Sequence, residues 1–194
     1  MRQATIERVT KETSIRLTLD LDGHGQHDIQ TPVPFLNHML TQVAAHGLLD
    51  LTIQATGDTN VDDHHTVEDM GIVLGQALKK ALGDASGIAR YGAAVVPMDE
   101  SLVQVVLDLS GRPYLAYDIT LPGKRIGGFE AGLIEEFLRA FTVHGGLTLH
   151  VRMLAGRNGH HIVEAGFKAL GRALCQAVAI DPRRVGVPST KGNL

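Results

Sequence analysis

The sequence predicts an α/β (α+β) fold built from two duplicated β-β-β-α-β-α halves, their sheets covered by helices. Three observations predict it. First, His64-His65-Thr66-Val67-Glu68 and His160-His161-Ile162-Val163-Glu164 share one word at an offset of 96. Leu74, Gly75, Ala77 and Leu78 recur as Leu170, Gly171, Ala173 and Leu174 at the same offset. Second, His46-Gly47 and Leu51 recur as His144-Gly145 and Leu149 at an offset of 98. Third, Val- and Leu-rich extended segments alternate with segments of helical period in the same order in both halves, the signature of sheets layered with helices.

In the first half, strands are expected over 5–9, 14–21 and 26–29, with Asp22-Gly23-His24-Gly25 as a turn. A helix runs from Pro34 to about Ala45, because Leu36, Leu40 and Val43 recur at helical spacing, and Gly47 ends it as a left-handed cap. A strand follows over 50–55, then a long helix over 67–82. The second half repeats the pattern with strands at 91–97, 102–109 and 114–119, the last two joined by a Ser110-Gly111-Arg112-Pro113 turn. A helix over about 131–143, a strand over 147–153 and a helix over 162–178 complete it. Residues 1–89 and 90–194 are the two half-repeats of one compact catalytic domain.

The 194-residue chain is long enough to bury a core. With a net charge of −3 and no basic stripe, nothing favours a nucleic-acid partner. No apolar run approaches the ~20 residues of a membrane span, so no membrane partner is expected. Met1 to Ala4 lead directly into strand-like sequence, so no signal peptide is expected. The single cysteine, Cys175, cannot form an internal disulfide, which fits a cytoplasmic protein. It reads as a buried small hydrophobe. Ten histidines are the unusual count.

Those histidines carry the chemistry. In each repeated word the second histidine and the glutamate stand at i and i+3, on one helix face. Imidazole with carboxylate suits a first-row transition metal, and the absence of cysteine points away from a structural zinc site. The offset of 98 sets Glu136 opposite His38, which lies in Leu36-Asn37-His38-Met39-Leu40. Eight donors result: His38, His64, His65, Glu68, Glu136, His160, His161 and Glu164. Asp62, Asp63 and Asn158 stand where they can cap helices or hold imidazole N–H groups. Arg90, Arg112, Lys168 and the tail Ser189-Thr190-Lys191-Gly192 supply cations and a hydroxyl suited to an anionic substrate. A dinuclear metallohydrolase or a metal-storage assembly would use a similar donor set.

Asp62 to Asp69, Leu36 to Leu40, Leu154-Ala155-Gly156-Arg157-Asn158-Gly159-His160-His161 and Ser189-Thr190-Lys191-Gly192 together resemble the imidazoleglycerol-phosphate dehydratase family, over essentially the whole chain. The resemblance implies a cytoplasmic manganese enzyme of histidine biosynthesis that converts imidazole glycerol phosphate to imidazole acetol phosphate. It also implies a homo-oligomer of 24 subunits with active sites where subunits meet. Carried over by position, one Mn2+ is held by His38, His65, Glu68 and His160, and the second by His64, His161 and Glu164. Glu136, or alternatively His144, is the remaining ligand of the second. Glu12, Gln42, Arg90, Arg112, Lys168, Ser189 and Lys191 fall at substrate-contacting positions, the cations and Ser189 serving the phosphate. Metals on the ring nitrogens would favour an imidazolate that expels the neighbouring hydroxyl. Glu12 is the expected acid/base group.

Overall fold

A computed structural model describes residues 2–192. Strands β1 (Gln3–Val9), β2 (Thr13–Asp20), β3 (His27–Gln30) and β4 (Asp50–Gly57) form a sheet of order β1-β2-β4-β3. Helix α1 (Pro34–Gly47) joins β3 to its parallel neighbour β4, and α2 (His64–Leu82) closes the half. The second half has β5 (Tyr91–Met98), β6 (Ser101–Asp108), β7 (Tyr114–Asp118), a hairpin β8 (Arg125–Ile126) and β9 (Phe129–Glu130), α3 (Leu133–Gly145), β10 (Thr148–Ala155) and α4 (Gly159–Val178). Its sheet, β5-β6-β10-β7, repeats the first in order and in strand direction.

Alternation along the strands decides which face of each sheet is covered. Ile15, Leu17 and Leu19 on β2 and Val103, Val105 and Leu107 on β6 are buried, with the residues between them more exposed. Helix α2 lies on β1 and β2, and α4 on β5 and β6. The helices also meet across the halves, α1 against α4 and α2 against α3. The core therefore lies between two sheets and is filled by helices from both halves.

The repeated glycines set the distance of those crossings. A Cβ on Gly171 of α4 would lie 2.7 Å from the Val43 carbonyl oxygen and 3.0 Å from the Gly47 nitrogen of α1. A Cβ on Gly75 of α2 would lie 2.7 Å from both the Phe141 carbonyl oxygen and the Gly145 nitrogen of α3. One pair of contacts is the image of the other.

Four sequence expectations change. The left-handed residue closing α1 is Leu48 (φ 53°), not Gly47; Gly47 lies within the helix and is small because α4 approaches it. Helices α2 and α4 begin at His64 and Gly159, so both histidine pairs lie in first turns and not ahead of the helices. Cys175 is half-buried, not buried. Helix α3 starts at Leu133 because the β8–β9 hairpin occupies the preceding residues, and the Ala131 N–H donates to the Lys124 carbonyl.

That hairpin is the asymmetry between the halves. Strands β2 and β6, and likewise β3 and β7 through their pairing with β4 and β10, correspond at an offset of 88. From α1 and α3 through β4 and β10 the offset is 98, and for α2 and α4 it is 96. The additional residues lie between β7 and α3, where β8 and β9 form. Ile126 of the hairpin packs against the start of α4 at Gly159. Arg125 lines clefts beside both His64 and His160.

Candidate metal centre and active site

Each histidine word begins where a polar side chain just ahead of it accepts from its backbone, at α4 from the N-cap itself and at α2 from the residue before the N-cap, Asp63, whose own side chain makes no cap bond. At α4, the Asn158 side chain accepts from the His160 and His161 backbone N–H groups. At α2, Asp62 Oδ1 accepts from the His64 N–H at 2.8 Å. These polar residues therefore satisfy backbone donors rather than imidazole rings.

Across the α1–α4 crossing, three donors converge. Glu164 Oε2 lies 3.1 Å from His38 Nε2 and 3.1 Å from His160 Nε2. Their ligand atoms all fall within 4.8 Å of one another, a group able to hold a metal ion. His38 comes from the first half, His160 and Glu164 from the second. Phe35 contacts the His160 ring edge-on at 5.4 Å, limiting its orientations. Glu164 is buried beneath the histidines and its other oxygen is 2.7 Å from Lys168 Nζ. Burial alone would raise its carboxyl pKa, but the bonds from Lys168 and His38 outweigh that and hold it at about 2. It is an anion throughout the ordinary pH range, as a ligand must be.

At the start of α2, His64 Nε2 lies 3.5 Å from Glu68 Oε2. In both words the glutamate pairs with the first histidine, at i and i+4, rather than with the second at i+3. Side chains four apart stand almost directly above one another on a helix. The structure therefore places Glu164 with His38 and His160, and Glu68 with His64.

The second histidines turn elsewhere. The Nδ1 of His65 lies 3.0 Å from Asp58 Oδ2, and its Nε2 lies 4.0 Å from Glu12 Oε1. The Nδ1 of His161 lies 2.8 Å from Glu100 Oε2 and its Nε2 is 3.9 Å from Asp99 Oδ2. The hydrogen bonds that the imidazoles make to Asp58 and to Glu100 raise the two imidazole pKa values, and His161 in turn depresses that of Glu100. Asp58, Asp99 and Glu100 were not among the residues expected from the sequence. The offset of 88, which pairs Glu12 with Glu100, is the signal that would have found Glu100.

Among the described residues, only the His38–His160–Glu164 group gathers three such donors. Glu136 is half-buried on α3, which packs on α2, and neither it nor His144 joins a donor cluster. The proposed substrate contacts divide among three places. Gln42, 3.4 Å from His38 Nδ1, and Lys168 adjoin the α1–α4 group. Glu12 stands beside His65. Arg90, in a left-handed conformation (φ 75°), binds both oxygens of Asp108 at 2.7 and 3.0 Å and donates to the Pro188 carbonyl at 2.8 Å. It thereby pins the tail that carries Ser189 and Lys191. Arg112 is exposed, 4.0 Å from the same Asp108. No hydrogen bond or ion pair among the described residues joins these three places.

Fold and site together define a duplicated α/β protein whose helices assemble, across the two halves, a histidine–carboxylate group able to hold a metal ion. The family model for imidazoleglycerol-phosphate dehydratase matches residues 31–174. The dehydratase of Moorella thermoacetica is 63% identical over 100% of this chain and 98% of its own length; that of Desulforamulus reducens is 59% identical over the same shares. Crystal structures agree: the Staphylococcus aureus dehydratase superposes with a TM-score of 0.84 at 41% identity, covering 92% of this chain and 99% of its own. The Pyrococcus furiosus structure gives 0.85 at 39%, covering 97% and 100%. The chain belongs to the imidazoleglycerol-phosphate dehydratase family, hydro-lyases of histidine biosynthesis. No described helix is long and apolar enough to cross a membrane.

Proposed function

We propose that this chain converts imidazole glycerol phosphate to imidazole acetol phosphate at a site holding two Mn2+ ions, completed between subunits of a cytoplasmic homo-oligomer of 24 chains. The observation that carries the reading is the convergence of His38, His160 and Glu164 across the α1–α4 crossing. Neutral imidazoles and an ionised carboxylate are the donor chemistry that Mn2+ accepts. Residues 1–89 and 90–194 then act as one catalytic unit, since each contributes to this group.

His38, His160 and Glu164 would hold one ion. His64 and Glu68 would begin the second, with His65, His161 and Glu136 as the further donors. Three donors from one chain fall short of an octahedral shell, and the substrate contacts are split among separate places; both features favour completion by neighbouring subunits. When bound, the two ions would supply the Lewis acidity that draws the N–H proton from the substrate ring and stabilises the imidazolate.

The chain's own residues do the rest. Glu12 is exposed beside His65, free of a strong ion pair, and is the group to take the C–H proton and return one to the departing hydroxyl. Gln42 reaches the substrate from the same helix as His38. Lys168 neutralises Glu164 and adjoins the substrate. Ser189, Lys191 and Arg112 would bind phosphate, with Arg90 holding their tail in place and lending positive charge.

Turnover of imidazole glycerol phosphate tests the reading. Chelated protein should be inactive, and Mn2+ should restore formation of the ketone product. Release of inorganic phosphate without ketone, or ketone formation by fully chelated protein, would refute it.

A further inference from the structure

The β1–β2 and β5–β6 turns are images of each other at an offset of 88: Val9 pairs with Ser14 as Pro97 pairs with Leu102, so Glu12 and Glu100 occupy the same place. Their surroundings have diverged. Glu12 approaches the outer nitrogen of His65, Nε2, at 4.0 Å and is half-exposed. Glu100 binds the inner nitrogen of His161, Nδ1, at 2.8 Å, while its other oxygen accepts from the Arg157 and Asn158 N–H groups at 3.1 and 2.8 Å. In the first half, the inner nitrogen of His65 is bound instead by Asp58, at the end of β4.

We infer that Glu100 and Asp58 are positioning residues: each takes the Nδ1–H of its histidine, fixing the tautomer that leaves Nε2 bare and aimed outward as a metal ligand. The inference rests on the proposed metal reading. A neutral imidazole carries one proton, so a proton held at Nδ1 leaves the lone pair at Nε2. The two halves meet this one requirement from different strands. Because Asp58 takes the task in the first half, the carboxylate of Glu12 remains uncommitted, whereas Glu100 is engaged on both oxygens. Duplication thus produced two equivalent glutamates, of which one positions a ligand and the other stays free to exchange protons with substrate. Glu100 also ties the β5–β6 turn to the segment entering α4, coupling the aim of His161 to the start of the helix that carries His160 and Glu164.

Two measurements on the full-length protein test this. In metal-free protein, at a pH where the rings are neutral, nitrogen-15 NMR should show His65 and His161 protonated at Nδ1. Glu100→Ala should release His161, and Asp58→Ala should release His65, to the Nε2–H form that free imidazole side chains favour. Mn2+ titration should show roughly 10–100-fold weaker binding in each variant. Glu100→Gln retains an acceptor for the Arg157 and Asn158 N–H groups but loses the charge facing His161, so it separates ligand positioning from helix-start support. It should weaken Mn2+ binding by an intermediate factor with the fold intact. Unchanged tautomers in the alanine variants, or wild-type Mn2+ affinity in Glu100→Gln, would overturn the inference. Wild-type protein that shows both Nδ1–H tautomers but binds no Mn2+ would instead overturn the metal reading and leave the positioning contacts standing.

Discussion

Replacing Gly171 by alanine should damage stability and the metal site together, because one contact governs both. The new Cβ would stand 2.7 Å from the Val43 carbonyl oxygen, against a comfortable separation of about 3.5 Å, so α1 must retreat by roughly 0.8 Å. All three nearest atoms are backbone, and no side chain can rotate out of the way. Overpacking of this kind costs about 1–3 kcal/mol, and the better helix propensity of alanine returns about 1 kcal/mol. The net loss is about 0–2 kcal/mol, or roughly 2–4 °C in Tm for each kcal/mol in a chain of this size. His38 rides on the displaced helix. Its 3.1 Å separation from Glu164 would open towards roughly 3.9 Å, beyond hydrogen-bond reach. Gly75→Ala makes the equivalent collision at α2–α3 and leaves the His38–His160–Glu164 group alone. Calorimetry should therefore show similar Tm losses for the two variants, with Mn2+ titration showing the larger loss at the His38 group in Gly171→Ala. A Gly171→Ala protein as stable as wild type, with an unchanged Mn2+ isotherm, would refute the reasoning.

Three other outcomes follow from particular contacts. Glu12→Gln should bind Mn2+ and substrate while kcat falls about 10²–10⁴-fold, checked by titration and steady-state kinetics; loss of metal instead would remove Glu12 from the acid/base role. Thr13→Val deletes the hydroxyl that donates to the buried Asp69 carboxylate at 2.5 Å, and should cost about 1.5–3 kcal/mol in urea unfolding, with the Arg8–Asp69 pair at 2.9 Å retained. The side chain and backbone N–H of Arg183 hold the Asp181 carboxyl at about 2, below its ordinary 3.8. A depressed folded-state pKa stabilises above the unfolded value, so this contribution is complete above about pH 3.8 and disappears as pH falls through about 2. Carbon-13 NMR titration should give that midpoint, and Arg183→Ala should move it towards 3.8.

The repeat, the order of elements, the paired histidines and the family were legible in the sequence because they depend on local period and on residue identity. Two words in register, with glycines at matched positions, force two similar halves. What remained hidden depended on which side chains meet. Sequence spacing allowed the glutamate of each word to join the histidine three or four residues back; only helix geometry within the packed structure selected the fourth. The hairpin before α3 was hidden because a short insertion has no period, although its length was already present as the change of offset between strands and helices. Asp58 and Glu100 were invisible for a related reason: each is an ordinary turn carboxylate until tertiary packing brings it to an imidazole nitrogen from a different strand. By itself the sequence determined the supply of ligands and the duplicated frame that carries them. The tertiary structure decided their partnership, because α1 crosses α4 rather than its own neighbour α2, and so made one cluster of candidate ligands out of two halves.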